Sequence, residues 1–212
     1  MSLCMQSKTH NLNEILAGYD HEAQETIIRK FYQGVYDAGL YRPGNSTNQW
    51  RIICETHAGD IRTALDVGCG AGVGVRLAVD AGIECYGIDI AHPRDLWRDH
   101  DVSGRCVVGD GANLPFASKA FDFVLCMDVL EHVPVWNVGK FLCEIERVCR
   151  GVSFLAVSLV EEKSPIAGKV CAHITLMPEG WWREQISKAG MRPVDSGVEK
   201  DHLWGYFVPD RR

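Results

Sequence analysis

The sequence has no long apolar run that could serve as a membrane anchor or as an export signal. None of its apolar segments approaches the roughly 20 residues that a helix needs to cross a bilayer. The N-terminal residues, MSLCMQSK, lack the apolar stretch of a secretory signal peptide. We therefore expect a cytoplasmic chain with no membrane partner.

The sequence also lacks paired cysteines. Nine cysteines are scattered through its 212 residues, none of them in a C-x-x-C arrangement. A scattered, odd-numbered set is typical of small buried thiols in a reducing compartment, because a disulfide framework or a zinc site would need paired spacings. The cysteine pattern therefore excludes a disulfide-rich fold, and the sequence predicts no metal site.

Basic residues are in the minority. The chain has 22 lysines and arginines against 28 aspartates and glutamates, which gives a formal net charge of −6. Because proteins that bind along nucleic-acid phosphates are more often basic, we expect no nucleic-acid partner. Hydrophobic residues make up 46% of the chain, enough for one globular core, and this content excludes wholesale disorder.

Residues 1–60 are predicted to form a helical cap. Apolar residues recur at three- and four-residue steps from Leu12 to Val35, which is the period of one amphipathic helix. Asn11 followed by Glu14 forms a capping pair at its start. A Pro-Gly break then separates this helix from a second one, which opens at Ser46.

From residue 60 onward, short apolar runs alternate with helical patterns. Five of these runs are predicted to be buried parallel strands: Thr63–Val67, Glu84–Ile88, Arg105–Val108, Phe121–Met127 and Val152–Leu159. The clearest helical pattern runs from Val138 to Val148, with Gly151 as the residue that ends the helix.

The C-terminal part adds one helix and two strands. The helix extends from about Pro178 to Gly190, and a three-residue link joins the last two strands into an antiparallel hairpin. Residues 61–212 are therefore predicted to form an α/β domain with a doubly wound, Rossmann-like, seven-stranded sheet. The sheet is expected to be mostly parallel, with an antiparallel strand at its C-terminal end.

The strongest chemical signal is a glycine-rich turn after the first predicted strand. Gly68, Gly70 and Gly72 alternate with other residues between that strand and a helix. Glycines let the backbone turn sharply and approach a ligand, and the helix N-terminus offers free N–H groups to an anion. A dinucleotide fingerprint would need a sixth-position glycine where Val73 stands. By itself, this turn also fits a tight strand–helix connection.

Acidic residues follow the next strands at corresponding positions. Asp89 ends the second strand, Asp110 follows the third and Asp128 follows the fourth. An acid at the end of the second strand of such a sheet can accept both hydroxyls of a ribose. The C-terminal ends of successive strands meet at one edge of the sheet, so these features predict a nucleotide site there.

These motifs resemble those of class I S-adenosylmethionine-dependent methyltransferases. The resemblance is carried by Asp66-Val-Gly-Cys-Gly-Ala-Gly, Gly87-Ile-Asp89, Gly109-Asp110-Gly-Ala-Asn-Leu-Pro-Phe and Met127-Asp-Val-Leu-Glu-His132-Val. The sequence is most similar to the small-molecule type, which has a Val-Leu-Glu-His motif after strand four. The similarity is specific from about Thr63 to Pro134 and hardly covers residues 1–60.

The resemblance implies S-adenosylmethionine as cofactor, S-adenosylhomocysteine as product, and a role for each motif. Asp66 and the glycine-rich turn would lie beside the methionine moiety, Asp89 at the ribose, and Asp110 at the adenine amino group. The implied cofactor-binding residues are Asp66, Gly68, Cys69, Gly70, Asp89, Ile90, Asp110, Gly111, Ala112, Met127, Asp128 and Val129. Met127 and Val129 fit core packing equally well.

Two histidines are candidates for the removal of a proton from the acceptor. His132 follows the fourth strand at the expected mouth of the crevice, and His173 lies in a loop after the fifth strand. Imidazole has an unperturbed pKa near neutrality, which suits this role. A capping or packing role for His132 stays open. The adjacent Trp181 and Trp182 could line an acceptor pocket, and Tyr19, Tyr41 and Arg42 could form a lid.

The sequence therefore predicts a methyltransferase that acts by in-line displacement on a small-molecule or glycan-type acceptor, with oxygen as the favoured acceptor atom. Two alternatives come from other functional classes. One is a non-catalytic module that binds S-adenosylmethionine, and the other is an NAD-dependent oxidoreductase.

Overall fold

The computed structural model describes residues 10–41, 46–161 and 170–210. No helix among these residues is both long enough and apolar enough to cross a membrane. The predicted lid residue Arg42 and most of the loop before His173 lie outside the described residues.

The described N-terminal part is helical, but the first predicted helix is divided into two. Helix α1 spans Leu12–Leu16, α2 spans His21–Asp37 and α3 spans Ser46–His57. Gly18 has a φ of 87°, and the Asp20 side chain accepts a hydrogen bond from the Ala23 amide at the start of α2. The apolar pattern in the sequence continues across this break because α1 and α2 both direct apolar side chains into the same core cluster. The prediction of one continuous helix was wrong for that reason.

The main sheet is formed by the strands β2 over Thr63–Val67, β3 over Glu84–Asp89, β4 over Cys106–Val108, β5 over Phe121–Met127, β6 over Cys149–Ser158, β8 over Met191–Glu199 and β9 over His202–Pro209. These seven strands have the spatial order β4-β3-β2-β5-β6-β9-β8. Strands β2 to β6 pair in parallel, and β9 pairs antiparallel with β6 and β8. The predicted fold class is confirmed.

Among the described residues, the strands are connected by the α-helices α4 over Val73–Asp80, α5 over Arg94–Asp99, α6 over Val135–Val148 and α7 over Glu179–Lys188. Gly151 does not end α6, because Cys149 already begins β6. A Cβ atom at Gly151 would lie 2.2 Å from the Asp122 carbonyl oxygen, so glycine serves close strand packing here.

A second, two-stranded sheet was not predicted. Strand β1, His10–Asn11, pairs in parallel with β7, Val170–Cys171. The Asn13 side chain also donates to the Ile174 carbonyl oxygen at 2.6 Å. These contacts attach the N-terminal helices to the segment that carries His173.

The sheet separates two apolar cores. Alternate residues of β5 point to opposite faces: Val124 packs in one core with α6 and α7, and Leu125 packs in the other with α3 and α4. This arrangement explains the continuous apolar runs of the central strands. The eight cysteines among the described residues are all free, and most of them are buried.

Candidate active site

A cavity of about 600 Å³ lies at the C-terminal edge of the parallel strands. Its lining includes residues at or just beyond the ends of β2, β3, β4 and β5, covered by residues of α2. Ligands of open α/β sheets bind at this edge, because the strand order reverses there and opens a crevice.

The glycine-rich turn forms one wall of this cavity. Gly68 and Gly70 have φ values of 79° and 53°, in the left-handed region that favours glycine. A Cβ atom at Gly68 would lie 2.2 Å from a methyl carbon of Val129, and one at Gly70 would lie 2.0 Å from the Tyr41 hydroxyl oxygen. The turn therefore needs glycine both for its backbone shape and for space.

The Asp89 carboxylate is held in the cavity wall by three hydrogen bonds. It accepts hydrogen bonds from the amides of Gly70 at 2.9 Å and Ala91 at 3.1 Å, and from the Tyr36 hydroxyl at 3.3 Å. Burial raises its pKa, while these donors act in the opposite direction. The result is a buried acceptor group, held in place by backbone, at the end of β3.

Two other acids in the predicted set have different surroundings. Asp110 lines the cavity, and one of its side-chain oxygens accepts a hydrogen bond from the Ala112 amide at 2.9 Å. Asp66 is buried outside the described lining, where its carboxylate accepts a 2.9 Å hydrogen bond from the Trp50 indole. Burial raises the pKa of Asp66 to about 7.

The other residues of the predicted cofactor set also fall into two groups, those that line the cavity and those that are buried outside the described lining. The cavity lining includes Gly68, Gly70, Ile90, Gly111, Met127, Asp128 and Val129. Cys69 and Ala112 are buried away from the described lining. A hydrogen bond with the Cys106 thiol, together with burial, raises the pKa of the Cys69 thiol well above its usual range.

The two predicted histidines are brought together although they are far apart along the chain: Ala172, the residue before His173, lies 40 positions after His132. Both line the cavity, and their ring centroids lie 4.9 Å apart in an edge-to-face arrangement. Burial, followed by the neighbouring His173, lowers the pKa of His132 to about 4, so this ring is uncharged at neutral pH.

The cap contributes residues that the sequence did not single out. Tyr32 makes an edge contact with the His132 ring, and Tyr36 reaches Asp89. Tyr41 lines the cavity as the predicted lid would, whereas Tyr19 is 53% exposed. The periodicity of α2 indicated which face is apolar, but it carried no signal for the hydroxyl groups.

Trp181 and Trp182 do not belong to the described lining of the cavity. Trp182 is fully buried in the core beneath α6 and α7, and Trp181 packs against the same core. An adjacent aromatic pair on an amphipathic helix commonly places one ring in the core.

Comparisons with known proteins agree with this architecture. Residues 65–157 match the family described as "Methyltransferase domain". An uncharacterized methyltransferase of Mycobacterium sp. (strain KMS) is 34% identical over 122 residues, which cover 56% of this chain and 46% of the relative. The chain thus spans less than half the length of that curated relative.

Two solved structures are similar over most of the chain. One is the 1,6-didemethyltoxoflavin-N1-methyltransferase of Burkholderia thailandensis with bound S-adenosylhomocysteine, at 18% identity and a TM-score of 0.71, covering 90% of this chain and 91% of that one. The other is the magnesium protoporphyrin IX methyltransferase of Synechocystis with the same product bound, at 16% identity and a TM-score of 0.66, covering 87% and 99%. At these identities the likeness establishes the fold.

Proposed function

Because the chain carries a class I S-adenosylmethionine-dependent methyltransferase domain, we propose that it transfers a methyl group to a small-molecule or glycan-type acceptor, with oxygen as the favoured atom. The observation that carries this proposal is one cavity lined both by the Asp89 carboxylate with the glycine-rich turn and by the histidine pair.

The cavity fits the cofactor in size and chemistry. About 600 Å³ is within the range of cofactor sites. Asp89 would hold the ribose hydroxyls, Asp110 would face the adenine amino group, and Met127 and Asp128 would flank the methionine and the sulfonium. Asp66 and Cys69 would support the turn from behind, because both are buried outside the described lining.

Asp128, directly after β5, has an unusual backbone conformation. Its φ of 57° is rare for a residue with a side chain, and its amide donates to the Ala156 carbonyl oxygen at 3.1 Å. Such conformations cluster at functional sites, where the surrounding structure holds them. We assign Asp128 to the border between the cofactor and the acceptor.

The charge of the cavity limits the class of acceptor. The described lining contains five acidic residues and no lysine or arginine: Glu25, Asp89, Asp110, Asp128 and Glu131. The cofactor's own carboxylate is balanced by its ammonium group, but a phosphate or carboxylate on the acceptor would be repelled, because carboxylates in a partly desolvated site interact strongly. Apolar side chains such as Ile28 and Val133 line the same space. The favoured acceptor is therefore uncharged or cationic and has an apolar part.

Bound S-adenosylmethionine supplies a methyl group already activated by its sulfonium, so the protein contributes mainly positioning and the exclusion of water. Tyr32 and Tyr36 cover the cavity from α2. His132 and His173 are the catalytic candidates, and we assign this pair to the reacting oxygen of the acceptor. Because the pKa of His132 lies near 4, its ring can accept a hydrogen bond but is a weak base.

Calorimetry with S-adenosylhomocysteine and with NAD tests the cofactor class. We expect the homocysteine nucleoside to bind and NAD not to bind. The reverse result would support an oxidoreductase and would sink the proposal. Mass spectrometry of reactions with neutral phenols, sugars and amines then searches for a methylated product, with anionic analogues expected to react least.

Matched histidine variants test the acceptor assignment. His173→Gln should lower the methylation rate at least 10-fold while the affinity for S-adenosylhomocysteine stays unchanged. His57→Gln is the control, since His57 is exposed on α3 beside Asp60 and is not among the described lining residues of the cavity. An unchanged rate in His173→Gln would remove His173 from the catalytic pair.

A further inference from the structure

The hydrogen bonds of the histidine pair determine which ring nitrogen is available to a ligand. His132 Nδ1 lies 2.9 Å from the Ala172 carbonyl oxygen, and His173 Nδ1 lies 2.7 Å from the Val160 carbonyl oxygen. A carbonyl oxygen only accepts, so each Nδ1 carries the proton. In a neutral ring, Nε2 then carries the lone pair, which is the arrangement that second-shell carbonyls give to metal-binding histidines.

A buried carboxylate completes the group. Glu131 is fully buried, lines the cavity, and accepts a hydrogen bond from the Ser158 amide at 3.0 Å through Oε1. One potential ligand atom from each of Glu131, His132 and His173 lies within 4.8 Å of the other two. Ligands about 2.1 Å from an ion stand about 3 to 3.5 Å apart at octahedral or tetrahedral angles, so side-chain rotations must bring the ligand atoms roughly 1.5 Å closer together to close the set.

Backbone hydrogen bonds between residues far apart in sequence hold the segments of this group together. The backbone oxygen of Glu131 accepts hydrogen bonds from the amides of Ile174 at 2.8 Å and Thr175 at 3.0 Å. These bonds hold the His173 segment against the short helix Leu130–His132. The backbone of the two segments is therefore held in place, and only side-chain rotation is needed to bring the three groups onto one ion.

We propose that Glu131, His132 and His173 form a binding site for one divalent cation such as Mn²⁺, Fe²⁺, Co²⁺ or Zn²⁺. Two imidazoles and one carboxylate suit first-row divalent metals, and a three-residue set leaves coordination positions open. Analysis of cysteine spacing could not find this site, because its ligands are a Glu-His pair and a distant histidine.

The role of the ion rests on the proposed function, whereas the site itself does not. Beside a divalent cation, the acceptor hydroxyl loses its proton to solvent more readily. The new O–C bond forms as the S–C bond breaks, and the bonding electron pair stays on the sulfur of the departing thioether. In this arrangement the two imidazoles act on the acceptor through the ion.

Titration of the chelator-stripped protein with Co²⁺, without nucleotide, tests the site. We expect one Co²⁺ per chain with nitrogen and oxygen ligands, and no sulfur-to-cobalt charge-transfer bands of the kind that binding to the free cysteines would produce. The affinity should fall at least 10-fold in His173→Gln and in Glu131→Gln. Glutamine keeps an acceptor for the Ser158 amide and removes the charge.

The matched control is His202→Gln, which should leave Co²⁺ affinity unchanged. His202 lines the same cavity, 3.7 Å from Asp128, but is not part of the group. Circular dichroism checks that each variant is folded, and if Glu131→Gln is not, His173→Gln decides. The proposal is overturned if the native chain binds no Co²⁺, if thiolate bands appear, or if His173→Gln binds as tightly as the native chain.

Calorimetry with S-adenosylhomocysteine separates the two proposals. A chain that binds the nucleoside but no Co²⁺ would keep the proposed function and lose the cation site. A chain that binds Co²⁺ through Glu131 and the histidines but not the nucleoside would keep the site and lose the function.

Discussion

The two ends of the cavity differ in how their residues are brought together. The end near β3 and β4, here called the cofactor end, contains Asp89 and the glycine-rich turn, each at the end of its own strand. The end near β5 and β6, here called the acceptor end, combines the Glu131–His132 segment with His173 and with Tyr32 of α2. The cofactor end follows from regular sheet topology, and the acceptor end depends on irregular loops.

This difference has a consequence for chemistry. Parallel strands place their C-terminal ends at one edge wherever the fold forms, so a cofactor site can be kept while the rest of the chain varies. Loop and cap residues carry no such constraint, and they set which acceptor enters. Perturbation of each end should therefore separate cofactor binding from acceptor turnover.

The largest expected effect concerns the acid Asp66, which is buried behind the cofactor end and outside the described cavity lining. Its pKa of about 7 in the folded protein lies above the ordinary value of 3.8, so the native state holds an extra proton between these pH values. Stability is therefore lost as pH rises from about 4 to 7, by about 4 kcal/mol in total. In Asp66→Asn, which keeps an acceptor for the Trp50 indole, this loss should disappear.

Urea unfolding at pH 4 and pH 8 measures this effect. Asp122→Asn is the control, because the Arg150 side chain lowers the pKa of Asp122 to about 2. Removal of the Asp122 carboxylate should therefore leave the loss of stability between the two pH values unchanged. The same pH dependence in the native chain and in Asp66→Asn would contradict the prediction.

The second effect is the loss of cofactor affinity in Asp89→Asn. The amide has one acceptor oxygen where the carboxylate has two, and the Gly70 and Ala91 amides bind different oxygens. We expect at least a 100-fold weaker affinity for S-adenosylhomocysteine by calorimetry, about 3 kcal/mol. Asp122→Asn serves as control, since Asp122 binds the Thr63 amide at the opposite end of the strands. Near-native affinity in Asp89→Asn would remove Asp89 from the ribose site.

Gly68→Ala should have a smaller effect on the cofactor end. The added methyl would lie 2.2 Å from Val129, and the positive φ adds a backbone cost of about 1 kcal/mol. Gly82→Ala carries a similar backbone cost at φ 87°, with open space around the methyl. We expect cofactor affinity to fall about 10-fold in Gly68→Ala only. Equal affinities in the two variants would mean that the turn accommodates the added methyl group beside Val129 without a loss of cofactor binding.

The smallest effect is expected at the contact between α6 and α2, outside the described cavity lining, in Trp136→Phe. The Trp136 indole donates to the Gln24 side chain at 2.9 Å and stacks on His21 at 4.0 Å, which joins α6 to α2. Phenylalanine keeps the ring but loses a bond worth about 1 kcal/mol. We expect the KM for the acceptor to rise about 5-fold while S-adenosylhomocysteine affinity stays unchanged. A change in both values would show that α2 covers the two ends as one unit.

Local errors in the prediction have physical causes that can be read from single residues. The period from Leu12 to Val35 hides a break, because α1 and α2 face the same core on either side of Gly18. Gly151 resembles a helix-ending residue in sequence, but it lies in a strand, where the nearby Asp122 carbonyl oxygen leaves no space for a Cβ atom. In both places a tertiary contact overrides the local pattern.

By itself, the sequence determined the α/β class, the approximate positions of the strands in the main sheet and the acids at the strand ends, since apolar period and strand-end position are local properties of the chain. Only the tertiary structure decided that Asp66 turns to Trp50 instead of the cavity, that Tyr36 reaches Asp89, and that His173 meets His132. The direction of a buried side chain and the meeting of distant loops depend on packing between elements far apart in sequence, and no local pattern records them.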